Sequence, residues 1–201
     1  MGEQRVRIVA GKWRGRGLGT PRGESTRPTS DRVREALFSS LSSQLGSDLG
    51  GAAVLDAFAG SGALGLEAMS RGALRVAFVE SDSDARAALA GNIAALGAGT
   101  GARIIAGDSF TPLARASAGA SGPFALLLLD PPYRISSSQV AGLIDALAGE
   151  GFLSADALVV YEHASSASPV APEGFEIDRT RRYGSTSVTM MRRCLKTTET
   201  R

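Results

Sequence analysis

From Ala52 onward, short apolar runs alternate with amphipathic ones. AVLDAF is followed by a helical pattern through LGLEAMSR, RVAFVE by DARAALAGNIAAL, ARIIAGD by a short helix, and FALLLLD by a helix through VAGLIDALA. Apolar runs bounded by turn residues mark buried strands, and apolar spacings of three and four mark helices. Their alternation predicts a doubly wound, mostly parallel α/β sheet with crossover helices on both faces. Three later segments, ALVVYEH, FEIDRTRRY and SVTMMRRC, read as further strands, the last two as a hairpin closed near Tyr183 and Gly184. Ahead of the alternation, RVRIVAGKWRGRGLG interleaves apolar and basic residues around glycines, the pattern of a short basic β-hairpin. Between them Val33, Leu37, Phe38, Leu41 and Leu45 line one helical face, with Thr29 or Ser30 as N-cap candidates. The Ala/Ser/Gly stretches ARASAGASG and HASSASPVAP read as mobile connectors.

A chain of 201 residues, 43% hydrophobic, is long enough for one sizeable core. The expected organisation is a basic arm over 1–25, one catalytic-size domain over 26–193 and a polar tail over 194–201. No run approaches the ~18 apolar residues that span a bilayer, and the N-terminal stretch lacks the apolar core of a secretory signal. A cytoplasmic monomer without a membrane partner is therefore expected. A single cysteine, Cys194, excludes an internal disulfide, and with the single histidine, His163, it leaves no zinc-ligand spacing, so no metal is expected. The net charge of +2 conceals an asymmetry, because residues 1–35 carry nine Lys/Arg against four Asp/Glu. A basic arm on a mildly acidic body points to an anionic partner, most simply a nucleic acid.

The turn after the first predicted strand, DAFAGSGALG, places Gly60, Gly62 and Gly65 in a G-x-G-x-x-G spacing that opens a helix, with Asp56 closing the strand before it. Glycines there permit a tight turn and bring backbone N–H groups close to a ligand. Glu80 closes the next strand, twenty positions after Gly60, where a carboxylate can accept both ribose hydroxyls of an adenosine. Asp108 closes the third and is placed to accept from an adenine amino group, with Ser109 and Phe110 beside it. Ligands of open α/β sheets bind outside the carboxyl ends of the strands, so three acids at one rim fit an adenosine-containing cofactor. A dinucleotide and S-adenosylmethionine both satisfy the turn. The second also offers an amino group that Asp56 can engage.

The fourth strand decides between them. LLLLDPPYR ends an apolar run on Asp130, followed by the stiff Pro131–Pro132 turn and Tyr133. An exocyclic amino group at this turn can donate one proton to Asp130 and another to the Pro131 carbonyl, while the Tyr133 ring stacks on a planar base. A nitrogen held in this way points its lone pair at a sulfonium methyl, and positioning supplies much of the rate gain. Hydride transfer has no evident use for such a turn.

These motifs resemble the class I S-adenosylmethionine-dependent methyltransferases and, within them, the RsmD family of bacterial small-subunit rRNA guanine-N2 methyltransferases. The resemblance rests on RIVAGKWRGRGL, TRPTSDRVREALF, DAFAGSGALGLEAMSRGA and LLLLDPPY, and extends over nearly the whole chain. It implies a seven-stranded Rossmann-like fold with an N-terminal hairpin extension, S-adenosylmethionine as donor, and methylation of a guanine amino group in 16S rRNA, at position 966, on an assembled or assembling small subunit. Carried over by position, it assigns Asp56, Phe58, Gly60, Gly62, Glu80, Asp108, Ser109 and Asp130 to the cofactor pocket, and Asp130, Pro131, Pro132 and Tyr133 to the target base.

A guanine must be unpaired or flipped to reach such a pocket, and backbone contacts must offset the cost. Arg5, Arg7, Lys12, Arg14 and Arg16 on the hairpin are the expected phosphate contacts, with Trp13 either stacking on RNA or anchoring the arm. Arg27, Arg32 and Arg34 remain open between a phosphate, the cofactor carboxylate and Glu35. A DNA adenine-N6 methyltransferase is the nearest rival, because adenine presents an amino group to the same turn. A protein glutamine methyltransferase, a nucleic-acid-binding module with an idle cofactor fold and a nicotinamide dehydrogenase fit less of the pattern.

Overall fold

The computed structural model describes residues 6–21, 31–45 and 49–194. Thr29, Ser30, Arg5, Arg27 and nearly all of the polar tail lie outside them. The described elements run α1 (Asp31–Leu45), β1 (Ala53–Asp56), α2 (Ala63–Ser70), β2 (Arg75–Glu80), α3 (Ser83–Leu96), β3 (Ala102–Ala106), α4 (Pro112–Gly119), β4 (Phe124–Leu129), α5 (Ser137–Gly149), β5 (Leu153–Ala164), β6 (Phe175–Tyr183) and β7 (Thr186–Arg193). They form one seven-stranded sheet in the order β3-β2-β1-β4-β5-β7-β6. Strands β1 to β5 pair in parallel, and β7 runs antiparallel to both β5 and β6. The chain therefore reverses direction across the sheet between β1 and β4, the switch point where an open α/β sheet leaves a crevice.

Two cores flank the sheet. Val54, Phe78, Leu128 and Val160 point to one face, covered by α1, α2 and α3 through Phe38, Leu66 and Leu89. Leu55, Val79, Leu127 and Val159 point to the other, covered by α4 and α5 through Ala118 and Ile144. The period-2 alternation of a strand produces this division, and burial on both faces explains why β4 is almost wholly leucine. Two of the helix starts show how the sequence sets them. Asp82 accepts from Ala85 N–H to open α3, and Ser136 with Gln139 forms a capping box at α5.

One expectation needs correcting. The Ala/Ser-rich stretch read as a connector is largely helical: Thr111 caps α4, Pro112 occupies its first turn, and the alanines that follow favour helix. The N-terminal segment is a minimal hairpin with one bridge, Arg7 to Gly17, and is joined to the body. Val6, Ile8, Trp13 and Leu18 share the core of the α1–α3 face. The fully buried Glu67 of α2 accepts from Val9 N–H through Oε2 at 2.7 Å and from Ala10 N–H through Oε1 at 3.0 Å. Ser70 Oγ accepts from Trp13 N–H at 3.0 Å. Gly11 (φ +81°) lies so close to α2 that a Cβ there would sit 1.9 Å from the Ser70 carbonyl oxygen.

Candidate active site

The carboxyl ends of β1, β2 and β4 and the loop after β3 open onto a single cavity of about 720 Å³, a volume suited to a small molecule. The first crossover turn forms its base. Gly60 and Gly62 adopt positive φ of 52° and 85°, and Gly62 opens α2. At Gly65 a side chain has no room, because a Cβ would stand 2.3 Å from the Phe78 ring and 3.0 Å from Asp56 Oδ2. Asp56 is buried beneath this turn and Oδ2 accepts from Gly65 N–H at 3.0 Å, while Oδ1 has no hydrogen-bond partner. Burial raises its pKa from 3.8 to about 7, against the pull of the Gly65 and Phe58 N–H groups and reinforced by the charge of Glu80. A buried acceptor at the floor of a cavity calls for a donor, and a cationic amino group satisfies it.

Glu80 carries the turn on its two oxygens. Oε2 accepts from Gly60 N–H at 2.7 Å and Oε1 from Asp82 N–H at 2.8 Å, which fixes the carboxylate and leaves each oxygen a lone pair. Asp108 is exposed, with Oδ1 accepting from Phe110 N–H at 3.0 Å. The Ser109 hydroxyl is buried and donates to the Ala57 carbonyl at 2.6 Å, so it ties the β3 loop to the turn. Phe58 and Phe110 pair at 6.0 Å beside them as an apolar wall. A carboxylate for an amino group, a second for ribose hydroxyls and an aromatic wall fit S-adenosylmethionine.

β4 delivers Asp130 next to Asp56, because β1 and β4 are paired neighbours with Asp56 opposite Leu128. Pro131 is buried and Pro132 exposed. The Pro132 carbonyl closes the turn by accepting from Ile135 N–H at 2.9 Å, so that of Pro131 is not spent on it. Tyr133 leaves the turn 58% exposed, steadied by a 3.1 Å hydrogen bond between its hydroxyl and Thr186 Oγ1. Asp130, Pro131, Pro132 and Tyr133 all line the cavity that Asp56, Phe58, Gly60, Glu80, Asp108 and Ser109 also line.

The basic residues lie elsewhere. Arg7, Lys12, Arg14, Arg16 and Arg32 are exposed. Arg7 Nε donates to Asp31 Oδ2 at 2.7 Å, and Arg16 Nη2 donates to the Ala95 carbonyl at 2.7 Å. Trp13 is turned inward: only 9% exposed, it belongs to the core, with Lys12 Nζ 4.2 Å from the ring centroid. The hairpin alternates, and its large apolar member takes the inward side. His163 is buried and hydrogen-bonded to Thr189 Oγ1 at 2.9 Å.

Glu162 is a cavity residue that the motifs of the sequence do not single out, and Arg34 is one whose partner they left open. Arg34 lines the cavity at only 1% exposure, and Glu162, two residues before the end of β5, lines it at 7%. In ALVVYEH the acid follows an apolar run, as the other rim acids do, but does not close its strand, which runs on to Ala164. Nothing local in the sequence marks Arg34 as buried.

The sheet order, the glycine turn and the rim of acids beside a D-P-P-Y turn define a class I methyltransferase. The family model described as "Conserved hypothetical protein 95" matches residues 6–192. The chain belongs to that family, and is an RsmD-family methyltransferase. "Ribosomal RNA small subunit methyltransferase D" of Escherichia coli K12 is 35% identical over 193 residues, 96% of this chain and 92% of that protein. The solved structure of the yhhF protein of Escherichia coli superposes with a TM-score of 0.77 at 34% identity, covering 96% and 99% of the two chains. The rRNA methyltransferase aviRa of Streptomyces viridochromogenes, at 22% identity, shares the fold with a TM-score of 0.68 over 87% of this chain and 88% of its own.

Proposed function

We propose that this protein methylates the exocyclic N2 of a guanine in 16S rRNA, on the small ribosomal subunit or its assembly intermediate, with S-adenosylmethionine as donor. The observation that carries the reading is the Asp130–Tyr133 turn standing beside Asp56 on one cavity. The name of the Escherichia coli relative supports the rRNA substrate.

Asp56 and Glu80 would hold the cofactor by its amino group and ribose, with Phe58 and Phe110 against the adenine. When bound, S-adenosylmethionine supplies an electrophilic methyl group on a sulfonium. Asp130 and the Pro131 carbonyl accept hydrogen bonds from the two N–H groups of the target amine and aim its lone pair, and Tyr133 covers one face of the base. Asp130 also receives the proton that the amine loses on methylation. Holding the reactants at reacting distance replaces a costly encounter in solution. The exposed Lys12 and Arg14, with Arg7 and Arg16 where their present partners release them, supply phosphate contacts. Arg5, Arg27 and Arg32 belong to the same proposal.

Labelled S-adenosylmethionine offered in parallel with naked 16S rRNA, small subunits and DNA, followed by digestion to nucleosides, tests this. N2-methylguanosine from an RNA arm, lost in Asp130→Ala, is the expected product. Methyladenine, or no transfer to any arm, overturns the proposal, and methyladenine from DNA would install the adenine-N6 reading in its place.

A further inference from the structure

Four strand ends carry acids in a row on one face of the sheet. Asp56 pairs with Phe78 and with Leu128, and Leu128 pairs with Val160. Glu80, Asp130 and Glu162 each stand two residues beyond those partners, level with one another, and alternation directs all of them to the face of Phe78, Leu128 and Val160. Glu80 and Asp56 belong to the cofactor and Asp130 to the target amino group. Glu162 stands one strand beyond Asp130, away from the cofactor turn and on the same cavity.

An acidic residue at a rim is not a site without something that calls for a ligand, and Arg34 provides that. Its guanidinium is 1% exposed and lines the same cavity. One nitrogen, Nη2, donates to Asp31 Oδ1 at 2.6 Å and to the Arg7 carbonyl at 2.9 Å, while Nε and Nη1 have no hydrogen-bond partner. Buried donors left unpaired are costly, and a ligand that brings an acceptor relieves the cost. Glu162 is close enough for its charge to act on Arg34, so an acceptor and a set of free donors share this end of the cavity.

That polarity matches one base. The Watson–Crick edge of guanine runs N2 amino, N1–H donor, O6 acceptor, whereas beside the amino group of adenine stands N1, an acceptor. We infer that Glu162 reads the guanine N1–H next to the amino group held at Asp130, and that Arg34 donates to O6, so that the pair selects guanine over other amino-bearing bases. This rests on the guanine-N2 reading above. An adenine turned to place its amino group at Asp130 would set its N1 lone pair against the Glu162 carboxylate. Like polarity in a buried pocket is a strong rejection device.

The test uses 16S rRNA rebuilt by ligation around a synthetic fragment with guanine or 2-aminopurine at the methylated position, and assembled into small subunits. 2-Aminopurine keeps the amino group and lacks both N1–H and O6. The wild-type protein is expected to prefer guanine in kcat/KM by on the order of 100-fold, the worth of a charge-assisted buried hydrogen bond. Glu162→Ala should lower the guanine rate and, by removing the carboxylate that opposes an N1 lone pair, raise the 2-aminopurine rate, so that the preference narrows from both sides while the S-adenosylmethionine affinity, by calorimetry, stays unchanged. Glu162→Gln, whose amide oxygen still accepts from N1–H, should recover part of the preference. Arg34→Met should also lose guanine preference at unchanged cofactor affinity. Equal losses on both bases in Glu162→Ala, or an undiminished preference, overturn the role of Glu162. A weakened cofactor affinity in Arg34→Met overturns the Arg34 half, by giving its free N–H groups to the cofactor carboxylate. If the wild-type protein methylates no guanine, the reading of the substrate has failed instead, and the two failures are separable.

Discussion

Glu67→Gln perturbs the seam between the hairpin and the body with a change of one atom. The carboxylate has no exposed surface, and its two oxygens serve three donors: Val9 N–H on Oε2, and Ala10 N–H with Arg71 Nε on Oε1. Glutamine offers one oxygen and one NH₂. With its oxygen toward Ala10 and Arg71, it sets the NH₂ against Val9 N–H, and the opposite flip strands two donors. One charge-assisted bond is lost and a donor is left unpaired, at ~2 kcal/mol. The surviving bonds also lose their ionic component, including the 2.7 Å ion pair with Arg71, which brings the total to about 3 kcal/mol. With a urea m-value of about 2–3 kcal/mol/M, the unfolding midpoint should fall by ~1 M. Trypsin under native conditions should cleave after Lys12, Arg14 or Arg16 roughly 100-fold faster, if opening of the hairpin limits access. A midpoint within ~0.2 M of wild type, with unchanged cleavage, would refute the view that Glu67 pins the segment.

Asp56 should make stability depend on pH: its folded pKa of about 7 exceeds the ordinary 3.8, so the folded state retains a proton that the unfolded state releases. The cofactor-free protein should therefore lose stability as pH rises from about 4 through about 7, and Asp56→Asn should flatten that slope in urea midpoints taken across the range. Gly65→Ala drives a methyl into Phe78 and against Asp56, and should cost about 1–3 kcal/mol in denaturation while weakening cofactor binding in calorimetry. Tyr133→Phe retains the ring and should keep most of the activity on RNA, whereas Tyr133→Ala forfeits ~1–3 kcal/mol of stacking, or about 5- to 150-fold in kcat/KM. Lys12→Ala with Arg14→Ala should reduce the log–log salt slope of RNA binding by about 0.7 for each phosphate no longer neutralised; an unchanged slope would take the hairpin out of RNA binding. Point changes are the right probe, since deleting the segment would strip Ile8 and Trp13 from the core.

Much of the architecture was legible because the sheet is built from local signals. Each strand is an apolar run and each crossover helix has its own period, so the alternation, the final hairpin and the position of Asp130 beside the first strand follow from short windows. What was not legible depends on partners distant in sequence. Val9 and Ala10 find Glu67, and Trp13 finds Ser70, across 57 or 58 positions, and no local pattern told that the basic hairpin would be pinned or that its tryptophan would turn inward. Arg34 reads as a partner for a phosphate, the cofactor carboxylate or Glu35, and nothing in the sequence told that its side chain would be enclosed between the Arg7 carbonyl and Asp31. Glu162 is hidden for another reason. Its strand runs on to Ala164, so the acid does not close the run as Asp56 and Glu80 do.

The pinned hairpin also has a consequence for synthesis. Its apolar residues leave the ribosome first, but the groups that receive them, Glu67 and Ser70, are made more than fifty residues later. At about 5–20 residues per second, the N–H groups of Val9 and Trp13 wait roughly 3–12 s for these acceptors. Over that interval the interleaved arginines are expected to keep the unfinished segment soluble, since like charges oppose its association.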